Sequence, residues 1–434
     1  MQGIETAEIV GLAHDGRGIA RLGGKAVFVA GALPGEQVRI RRVKQRKRLD
    51  EAVLVELVTR SPSRVTPRCP HFGRCGGCAL QHLDPEAQIV AKARELHQQL
   101  ERIGHVRAAS ELPVLAGPLF GYRRRARLGV RLLAKSGRAI VGFRERTTPL
   151  LTDVRDCAVL AAPVGPLCEA LGEMIGLLSI GDRIPQIEVG IGENATVLVL
   201  RVMAPPSEAD TARLQDFSRQ HAVQFWLQSA GPESAAPLAG AVTTLDYTLP
   251  EFDVRIEFGP LDFVQINAEL NRRMVAEAIR LLAPEPGDRV LDLFCGLGNF
   301  TLPLARRAAH VLGVEGDAGL VARARHNAAI NGIDNARFAV ANLFAPLAGE
   351  PWARERYQRV LLDPPRAGAA EVLPMIAAGG ATRLVYISCH PASFARDAGL
   401  LVNEHGFKLS AAGVMDMFPH TAHVESIAVF ERRK

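Results

Sequence analysis

Three short motifs in the last third of the chain contain residue types that could together alkylate a carbon atom. Cys389 follows the apolar segment 384–388, and the motif Asp-Pro-Pro-Arg at 363–366 follows the apolar run 360–362. A turn that contains two glycines lies further upstream, at 291–299. Paired prolines hold the chain extended and form a rigid edge against which a planar base can lie. The three motifs therefore predict a nucleotide cofactor, a base and a thiol at neighbouring strand ends.

The thiol of Cys389 is predicted to act as a nucleophile towards a pyrimidine. C5 of uracil is a poor nucleophile, but a thiolate added to C6 turns C5 into an enolate-like carbon that can accept a methyl group. The adduct must then lose its C5 proton, and Glu425, at the start of the last apolar strand, is the expected general base. An isolated cysteine is more often a small buried hydrophobe. We assign that packing role to Cys295, expected to pack under the glycine turn, and to Cys168, expected on an apolar helix face.

The glycine turn predicts the type of cofactor. Gly296 and Gly298 would let the backbone approach a nucleotide beyond the end of a strand. Glu315, at the end of the next predicted strand, could accept hydrogen bonds from both ribose hydroxyls. The third glycine of a dinucleotide-binding motif is missing, and so is the Gly-Lys-Ser/Thr of a phosphate-binding loop. A cofactor with an adenosine but no phosphate remains, which indicates S-adenosylmethionine.

The elements that must position these motifs suggest a multidomain α/β protein. Alternating strands and helices from about residue 261 predict a Rossmann-like class I methyltransferase domain over 261–434. Short strands separated by glycine turns predict an OB-like β-barrel over 1–60. The segment 61–260 predicts a mixed α+β central domain that contains a cysteine cluster. Strands are expected at 289–294, 310–315, 337–341, 359–362, 383–388, 409–415 and 424–430, helices at 85–103, 300–309 and 319–331, and a loop at 229–240.

Charge and hydropathy limit the partners of the protein. The 434 residues carry a net charge of +6, and residues 1–68 hold 13 Lys or Arg against 7 Asp or Glu. Such a basic run is either a solvated face or a nucleic-acid footprint. No apolar run approaches the roughly 20 residues that cross a bilayer, and no leader segment is recognisable. We therefore expect a cytoplasmic protein without a membrane partner.

A cluster of cysteines in the first half predicts a metal site. Cys69, Cys75 and Cys78 form a C-x5-C-x2-C pattern, and Cys157 is a further thiol in the same half. Zinc and iron-sulfur clusters both accept four thiolates, so the spacing leaves the choice open. The C-x3-C-x2-C spacing typical of radical enzymes is absent.

The motifs in combination resemble the RNA uracil-C5 methyltransferase family. The resemblance rests on the segments 263–267 and 291–299, the Asp-Pro-Pro-Arg motif, Ile-Ser-Cys at 387–389 and Val-Glu at 424–425. The N-terminal barrel resembles a TRAM domain, and with its cysteine cluster the chain is similar to bacterial members that act on 23S ribosomal RNA. The target uracil must leave its stack to reach Cys389, so we expect an unpaired uridine in a folded loop of 23S ribosomal RNA as the substrate. We also expect a monomer without an obligate protein partner.

The resemblance also implies roles for individual residues. Cys389 would be the nucleophile and Glu425 the base, and a [4Fe-4S] cluster would be bound to thiolates of the central domain. Position 342 is Asn where the family usually has Asp, but an amide oxygen can still accept a hydrogen bond from an adenine amino group. The implied cofactor contacts are Gln265, Phe294, Asn299, Glu315, Asn342 and Asp363, and the implied cluster ligands are Cys69, Cys75, Cys78 and Cys157.

Three alternatives remain at this stage. A cytosine-C5 RNA methyltransferase would share the thiol chemistry but should carry a Pro-Cys dipeptide where this chain has Asp-Pro-Pro-Arg. A tRNA uracil-C5 methyltransferase would differ in substrate. A non-catalytic RNA-binding protein would explain the barrel but would leave Cys389 and Glu425 without a purpose.

Overall fold

The N-terminal segment forms a closed five-stranded barrel. The computed structural model describes residues 3–238, 240–347 and 349–433. The strands follow the order β1-β2-β3-β5-β4, and their inward side chains are small or β-branched, among them Ile9, Val27 and Val38. The barrel prediction is therefore confirmed. The strands are β1 (Ile4–Leu12), β2 (Gly18–Leu22), β3 (Lys25–Ala30), β4 (Gln37–Gln45) and β5 (Leu49–Thr59).

The basic run 39–48, which contains seven Lys or Arg, divides into paired and free side chains. Arg42 turns inward, where it donates to Glu5 at 2.8 Å and forms an ion pair with the buried Asp50. Arg39 and Arg46 pair with exposed or half-exposed glutamates of β5. In the described part of the chain, four exposed members of the run have no ion pair: Arg41, Lys44, Lys47 and Arg48.

The barrel is anchored to the body by a buried ion pair. Glu36 is fully buried, and it accepts hydrogen bonds from the guanidinium of Arg64 at 2.5 and 2.8 Å and from the backbone N–H groups of Leu33 and Ser61. Leu33 also packs against Leu80 and other apolar residues of the body. The barrel therefore has a fixed orientation relative to the rest of the chain.

A helix and a short strand that follow the barrel belong to the C-terminal sheet. The helix α1 (Pro85–Gln99) continues as a π-helical turn to Gly104 and packs against the last helix of the chain, and the strand β6 (Ser110–Glu111) extends the C-terminal sheet at its edge. A side chain at Gly104 would overlap the carbonyl oxygen of Ala395 at 2.4 Å, so this contact requires glycine. A part of the segment 61–260 thus packs on the C-terminal domain.

The central region contains a mixed six-stranded sheet of order β12-β11-β10-β9-β7-β8. Its pairs are antiparallel except β10 and β11, which are parallel and connected by a helix. The segment 229–240, expected to be a loop, includes a short edge strand within its described residues. The elements are β7 (Arg125–Leu132), β8 (Ala139–Gly142), α2 (Cys168–Gly176), β9 (Gln186–Ile191), β10 (Thr196–Arg201), α3 (Glu208–His221), β11 (Gln224–Gln228), β12 (Ala236–Pro237) and a separate hairpin of β13 (Leu245–Leu249) and β14 (Val254–Phe258).

The C-terminal domain is built on an eight-stranded sheet of order β17-β16-β15-β18-β19-β21-β20-β6. Strands β15 to β19 are parallel, and β21 is antiparallel to both of its neighbours. None of the described helices is long and apolar enough to cross a membrane. The elements are α4 (Ala268–Leu282), β15 (Arg289–Leu293), α5 (Thr301–Ala305), β16 (His310–Glu315), α6 (Ala318–Ile330), β17 (Ala336–Val340), β18 (Arg359–Leu362), α7 (Leu373–Ala378), β19 (Arg383–Ser388), α8 (Pro391–Asn403), β20 (Phe407–Met415) and β21 (Glu425–Arg432).

Replacing Glu36 by glutamine should destabilise the attachment of the barrel. Although burial alone would raise the pKa of Glu36, hydrogen bonds from Arg64 and from backbone N–H groups hold it below its ordinary value of 4.5. At pH 7 we expect Glu36→Gln to lower the free energy of unfolding by about 3 kcal/mol, because Arg64 would lose its buried counter-charge. A carboxylate with a depressed pKa stabilises the fold above its unfolded pKa, so the difference should shrink as the pH falls below 4.5.

Denaturant unfolding of the wild type and the variant at several pH values would measure this effect. The matched control is Glu56→Gln, which removes the exposed ion pair with Arg39 and should change stability little. Equal stabilities of the two variants at pH 7 would contradict an anchoring role for Glu36.

Candidate active site

The sheet order brings the predicted chemical motifs to one edge. Strands β15, β18 and β19 are parallel neighbours, so the glycine turn, the Asp-Pro-Pro-Arg motif and Cys389 all leave the sheet at its carboxyl edge. Strand β21 runs in the opposite direction and begins there. Ser388 pairs with Ser426, which places Cys389 and Glu425 as the next opposite positions. The topology therefore brings a thiol and a carboxylate together from distant parts of the sequence.

The thiol of Cys389 lies in an acidic environment. Its side chain is half-buried, and burial, followed by the negative charges of Glu425 and Asp363, raises its pKa to about 11, while Arg366 opposes the shift. The free protein therefore holds the thiol in its protonated form at neutral pH, and the cation of Arg366 is the nearby group that favours the thiolate.

The two carboxyl groups beside the thiol are also perturbed. Burial raises the pKa of Asp363 to about 7. Burial, followed by the charge of Asp363, raises the pKa of Glu425 to about 8, and the cations of Lys92 and Arg366 oppose this shift. Two carboxyl groups that titrate near neutrality at one strand edge are typical of a site that moves protons.

Four predicted cofactor residues, Phe294, Glu315, Asn342 and Asp363, lie at or just beyond strand ends of this edge, but they differ in their freedom to bind a ligand. Glu315 is fixed because its carboxylate accepts from the backbone N–H of Gly296 at 3.1 Å and of Gly316 at 2.7 Å. Phe294 has a φ of 66°, and its ring lies 5.7 Å from that of Phe344. Asn342 is exposed, and its side-chain oxygen accepts from the backbone N–H of Phe344 at 3.0 Å.

Two further predicted cofactor residues contrast with each other. Asn299 lies in an internal network, where its oxygen accepts from Tyr247 at 2.8 Å and from Asn271 at 3.0 Å and its amide donates to Asn271. Gln265 is half-buried, and its side chain has no hydrogen-bond partner within the described ranges. Gln265 is therefore free to bind a ligand through its amide, whereas Asn299 is already held by the protein.

Four of the five cysteines of the first half, Cys69, Cys75, Cys78 and Cys157, line one cavity of about 900 Å³, and Cys389 lies in the same wall. Burial, with a smaller contribution from the thiols of Cys69 and Cys157, raises the pKa of Cys75 to about 11 and that of Cys78 to about 12. Among the described residues, however, no group of three or more His, Cys, Asp or Glu side chains is arranged to hold a metal ion. The predicted metal site is therefore not confirmed by this geometry.

The structure adds residues that the sequence motifs did not indicate. Asp397 accepts from the hydroxyl of Tyr386 at 2.6 Å and from the backbone N–H of Ala369 at 2.7 Å, so it ties the strand before Cys389 to the loop after Asp-Pro-Pro-Arg. Lys92 donates to Asp416 at 2.6 Å in the interior near Glu425. Both are charged residues of helices that also contain solvated charges, and no local pattern distinguishes the two kinds.

Comparisons with known proteins agree with these observations. Residues 253–433 match the family described as tRNA (Uracil-5-)-methyltransferase, and residues 4–48 match the TRAM domain. A 23S rRNA (uracil(1939)-C(5))-methyltransferase of Stenotrophomonas maltophilia strain K279a is 52% identical over 429 residues, which are 98% of this chain and 97% of that protein. The protein of the same description from Methylococcus capsulatus is 52% identical over 427 residues, 98% and 96% of the two chains.

A solved structure is similar over the whole chain. The Pyrococcus abyssi tRNA (uracil-54, C5)-methyltransferase in complex with S-adenosyl-L-homocysteine superimposes with a TM-score of 0.74 at 25% identity. The match covers 98% of this chain and 99% of that one. The three-part architecture is thus shared with an enzyme whose structure contains a nucleoside cofactor product.

Removing the charge of Glu425 should make Cys389 more reactive. At pH 9, above the pKa of about 8 of Glu425, its carboxylate is charged and raises the pKa of the thiol. Glu425→Gln should therefore lower the pKa of Cys389 and accelerate its alkylation by iodoacetamide by about three- to tenfold. The rate is followed by mass spectrometry of the peptide that contains Cys389.

The control for this measurement is Glu431→Gln on the same strand, where the carboxylate accepts from Ser410 and pairs with Lys408. This variant should react like the wild type. An unchanged rate in Glu425→Gln would mean that the carboxylate and the thiol do not share one site.

Proposed function

Because the chain belongs to the 23S rRNA (uracil-C5)-methyltransferase family, we propose that it transfers a methyl group from S-adenosylmethionine to C5 of a uridine in 23S ribosomal RNA. The observation that carries the proposal is the pairing of β19 with β21, which sets a thiol opposite a carboxylate at the edge where the glycine turn ends. The chemistry needs such a pair because one group must activate the ring and another must remove a proton.

The first step of the proposed reaction is the attack of Cys389 on C6 of the uracil. The Sγ–C6 bond forms, and the ring electrons move to C5 and the adjacent carbonyl. The pKa of the thiol, about 11, makes the thiolate rare at neutral pH, so the positive charge of Arg366 is important for this step. The uracil must leave its stack to reach the thiol, which favours an unpaired nucleotide as acceptor.

The remaining steps require a methyl donor and a base. S-adenosylmethionine supplies an electrophilic methyl group when bound. The activated C5 would take this group and S-adenosylhomocysteine would leave. Glu425 would then accept the C5 proton, and the electrons of the C5–H bond would expel the thiolate from C6. Glu315 and Gln265 would orient the cofactor, because the former is held by the glycine turn and the latter has a free amide. Phe294, Asn299, Asn342 and Asp363 complete the proposed cofactor site.

A cytosine substrate is disfavoured because β18 is followed by Asp-Pro-Pro-Arg, where a cytosine-C5 enzyme should carry a Pro-Cys dipeptide. A tRNA substrate is disfavoured because relatives that are 52% identical over 98% of this chain are described as 23S rRNA methyltransferases. Both substrates are nevertheless included as competitors in the test below.

The cysteine cluster is proposed to bind an iron-sulfur cluster. Four soft thiol ligands around one cavity match the donor set of a [4Fe-4S] cluster, whose ligands must be deprotonated on binding. The cluster would hold the loop of Cys69, Cys75 and Cys78 against the segment of Cys157. No step of the proposed reaction uses it.

The barrel is proposed to contribute phosphate contacts. Arg41, Lys44, Lys47 and Arg48 are exposed without an ion pair in the described residues, so they can neutralise phosphates at little cost. Arg42 is excluded from this role because it is committed to Glu5 and Asp50.

Glu425→Gln should trap the reaction after methyl transfer. Without the base the C5 proton remains, so a covalent protein-RNA adduct should accumulate and survive denaturing electrophoresis. The substrate is a stem-loop of 23S RNA with labelled S-adenosylmethionine, and a tRNA and a cytosine-substituted loop serve as competitors. Cys389→Ala should form no adduct and should lower methyl transfer about a thousandfold or more.

The binding of S-adenosylmethionine to Cys389→Ala, measured by calorimetry, serves as the control and should match the wild type. The mechanism would fail if Cys389→Ala retained turnover, or if Glu425→Gln resolved its adduct at the wild-type rate.

Anaerobically purified protein should be brown and contain about four irons per chain. Cys75→Ser and Cys78→Ser should lose the colour and the iron. The matched control is Cys168→Ala, because this buried thiol lies outside the cavity wall and should leave the iron unchanged. Stoichiometric zinc in place of iron would decide against the cluster.

A further inference from the structure

A buried ion pair lies near Glu425, next to the strand position that pairs with it. Lys92, on α1, is 3% exposed, and its ammonium donates to Asp416 at 2.6 Å and to the carbonyl oxygen of Phe418 at 3.0 Å. Met415 is the residue opposite Glu425 in the pairing of β20 with β21, and Asp416 is the next residue. The ammonium of Lys92 is thus bound by Asp416, the first residue of the connection between β20 and β21, next to the residue that pairs with Glu425.

We propose that Lys92 is a positioning residue for the candidate base, whose buried positive charge keeps the carboxylate of Glu425 available to accept the C5 proton. This inference rests on the proposed role of Glu425. It assigns a function to a helix that precedes the six-stranded central sheet, far in sequence from the other groups of the site.

The charges around Glu425 explain why the site needs such a residue. Asp363 and the thiol of Cys389 face it from the ends of β18 and β19, and only the charge of Asp363 adds to the effect of burial that raises the pKa of Glu425 to about 8. Two cations oppose this rise, Lys92 and Arg366. A protonated Glu425 cannot accept the C5 proton, so these cations determine how much of the base is active near neutrality.

Of the two cations, Lys92 is the one held inside the protein. Arg366 is exposed, contacts His423 at 3.2 Å and lines the cavity that the RNA base must enter. Burial lowers the pKa of Lys92, but the carboxylates of Asp416 and Glu425 oppose this shift and favour the ammonium form. Asp416 therefore keeps Lys92 charged, and Lys92 in turn favours the ionised form of Glu425.

A purely structural role for the ion pair is the competing explanation, because the pair also fastens α1 to the C-terminal sheet. The two explanations predict different pH dependences for the double variant Lys92→Met/Asp416→Asn. This double substitution removes both charges and leaves no unpaired buried ion, so it should preserve the fold better than Lys92→Met alone. If the pair is only structural, the double variant should also recover the wild-type pH dependence.

The test measures the release of tritium from C5 of a 5-tritiated uridine stem-loop in single turnovers between pH 6 and pH 9.5. In the double variant we expect release at pH 7 to be roughly tenfold slower than in the wild type, and to recover at high pH, because the pKa of Glu425 rises without the neighbouring cation. The covalent adduct should accumulate at pH 7 and disappear at high pH. Lys92→Arg, which retains the charge, should keep the wild-type profile, as should the control Arg94→Met on the exposed face of α1.

A double variant with the wild-type pH profile would overturn the inference, and so would a Lys92→Arg profile displaced as far as that of Lys92→Met. Thermal unfolding of each variant checks that the fold is retained, and the Lys92→Arg comparison applies even if the double variant does not fold. Failure of Glu425→Gln to accumulate the adduct would instead overturn the proposed base itself. The two failures are therefore distinguishable.

Discussion

The antiparallel insertion of β21 between β19 and β20 is the constraint on which the site depends. The five parallel strands of the sheet deliver a glycine turn, a proline motif and a thiol to one edge, but a parallel strand can only end at that edge. A strand that runs the other way begins there, and its first residue, Glu425, comes opposite Cys389. Without this reversal the carboxylate would lie at the far side of the sheet.

Burial makes this arrangement electrostatically demanding. The pKa values of Asp363, Glu425 and Cys389 are all raised because burial removes water from their charged forms. For Glu425 and Cys389, the negative charge of a neighbour adds to the rise. The protein opposes this with two cations of different kinds, an exposed arginine at the cavity and a buried lysine near the base. Asp363 and Glu425, with pKa values of about 7 and about 8, can therefore accept or release protons near neutral pH.

Specific contacts hold the barrel and the central region against the C-terminal domain that carries Cys389 and Glu425. The Glu36 and Arg64 pair fixes the barrel, α1 and β6 extend the C-terminal domain, and the cysteine loop shares its cavity wall with Cys389. The cavity is consequently bordered by the barrel, the central region and the C-terminal sheet. An RNA that reaches the thiol would contact all three, which agrees with a large folded substrate.

The sequence alone determined the features that local patterns encode. Alternating apolar residues and glycine turns predicted the barrel and the parallel strands. The motifs around Cys389 and Glu425 predicted the candidate chemistry, because each motif consists of a few consecutive residues that can be recognised in the sequence. Only the tertiary structure decided which charges are buried. Contacts between separate segments determine the inward turn of Arg42, the hydrogen bonds of Asp397 and the burial of Lys92. The segments of Lys92 and Asp416 are more than three hundred residues apart. A lysine or an arginine carries the same local signal whether it is solvated or buried against a distant carboxylate, so its role follows from the packing of the folded chain.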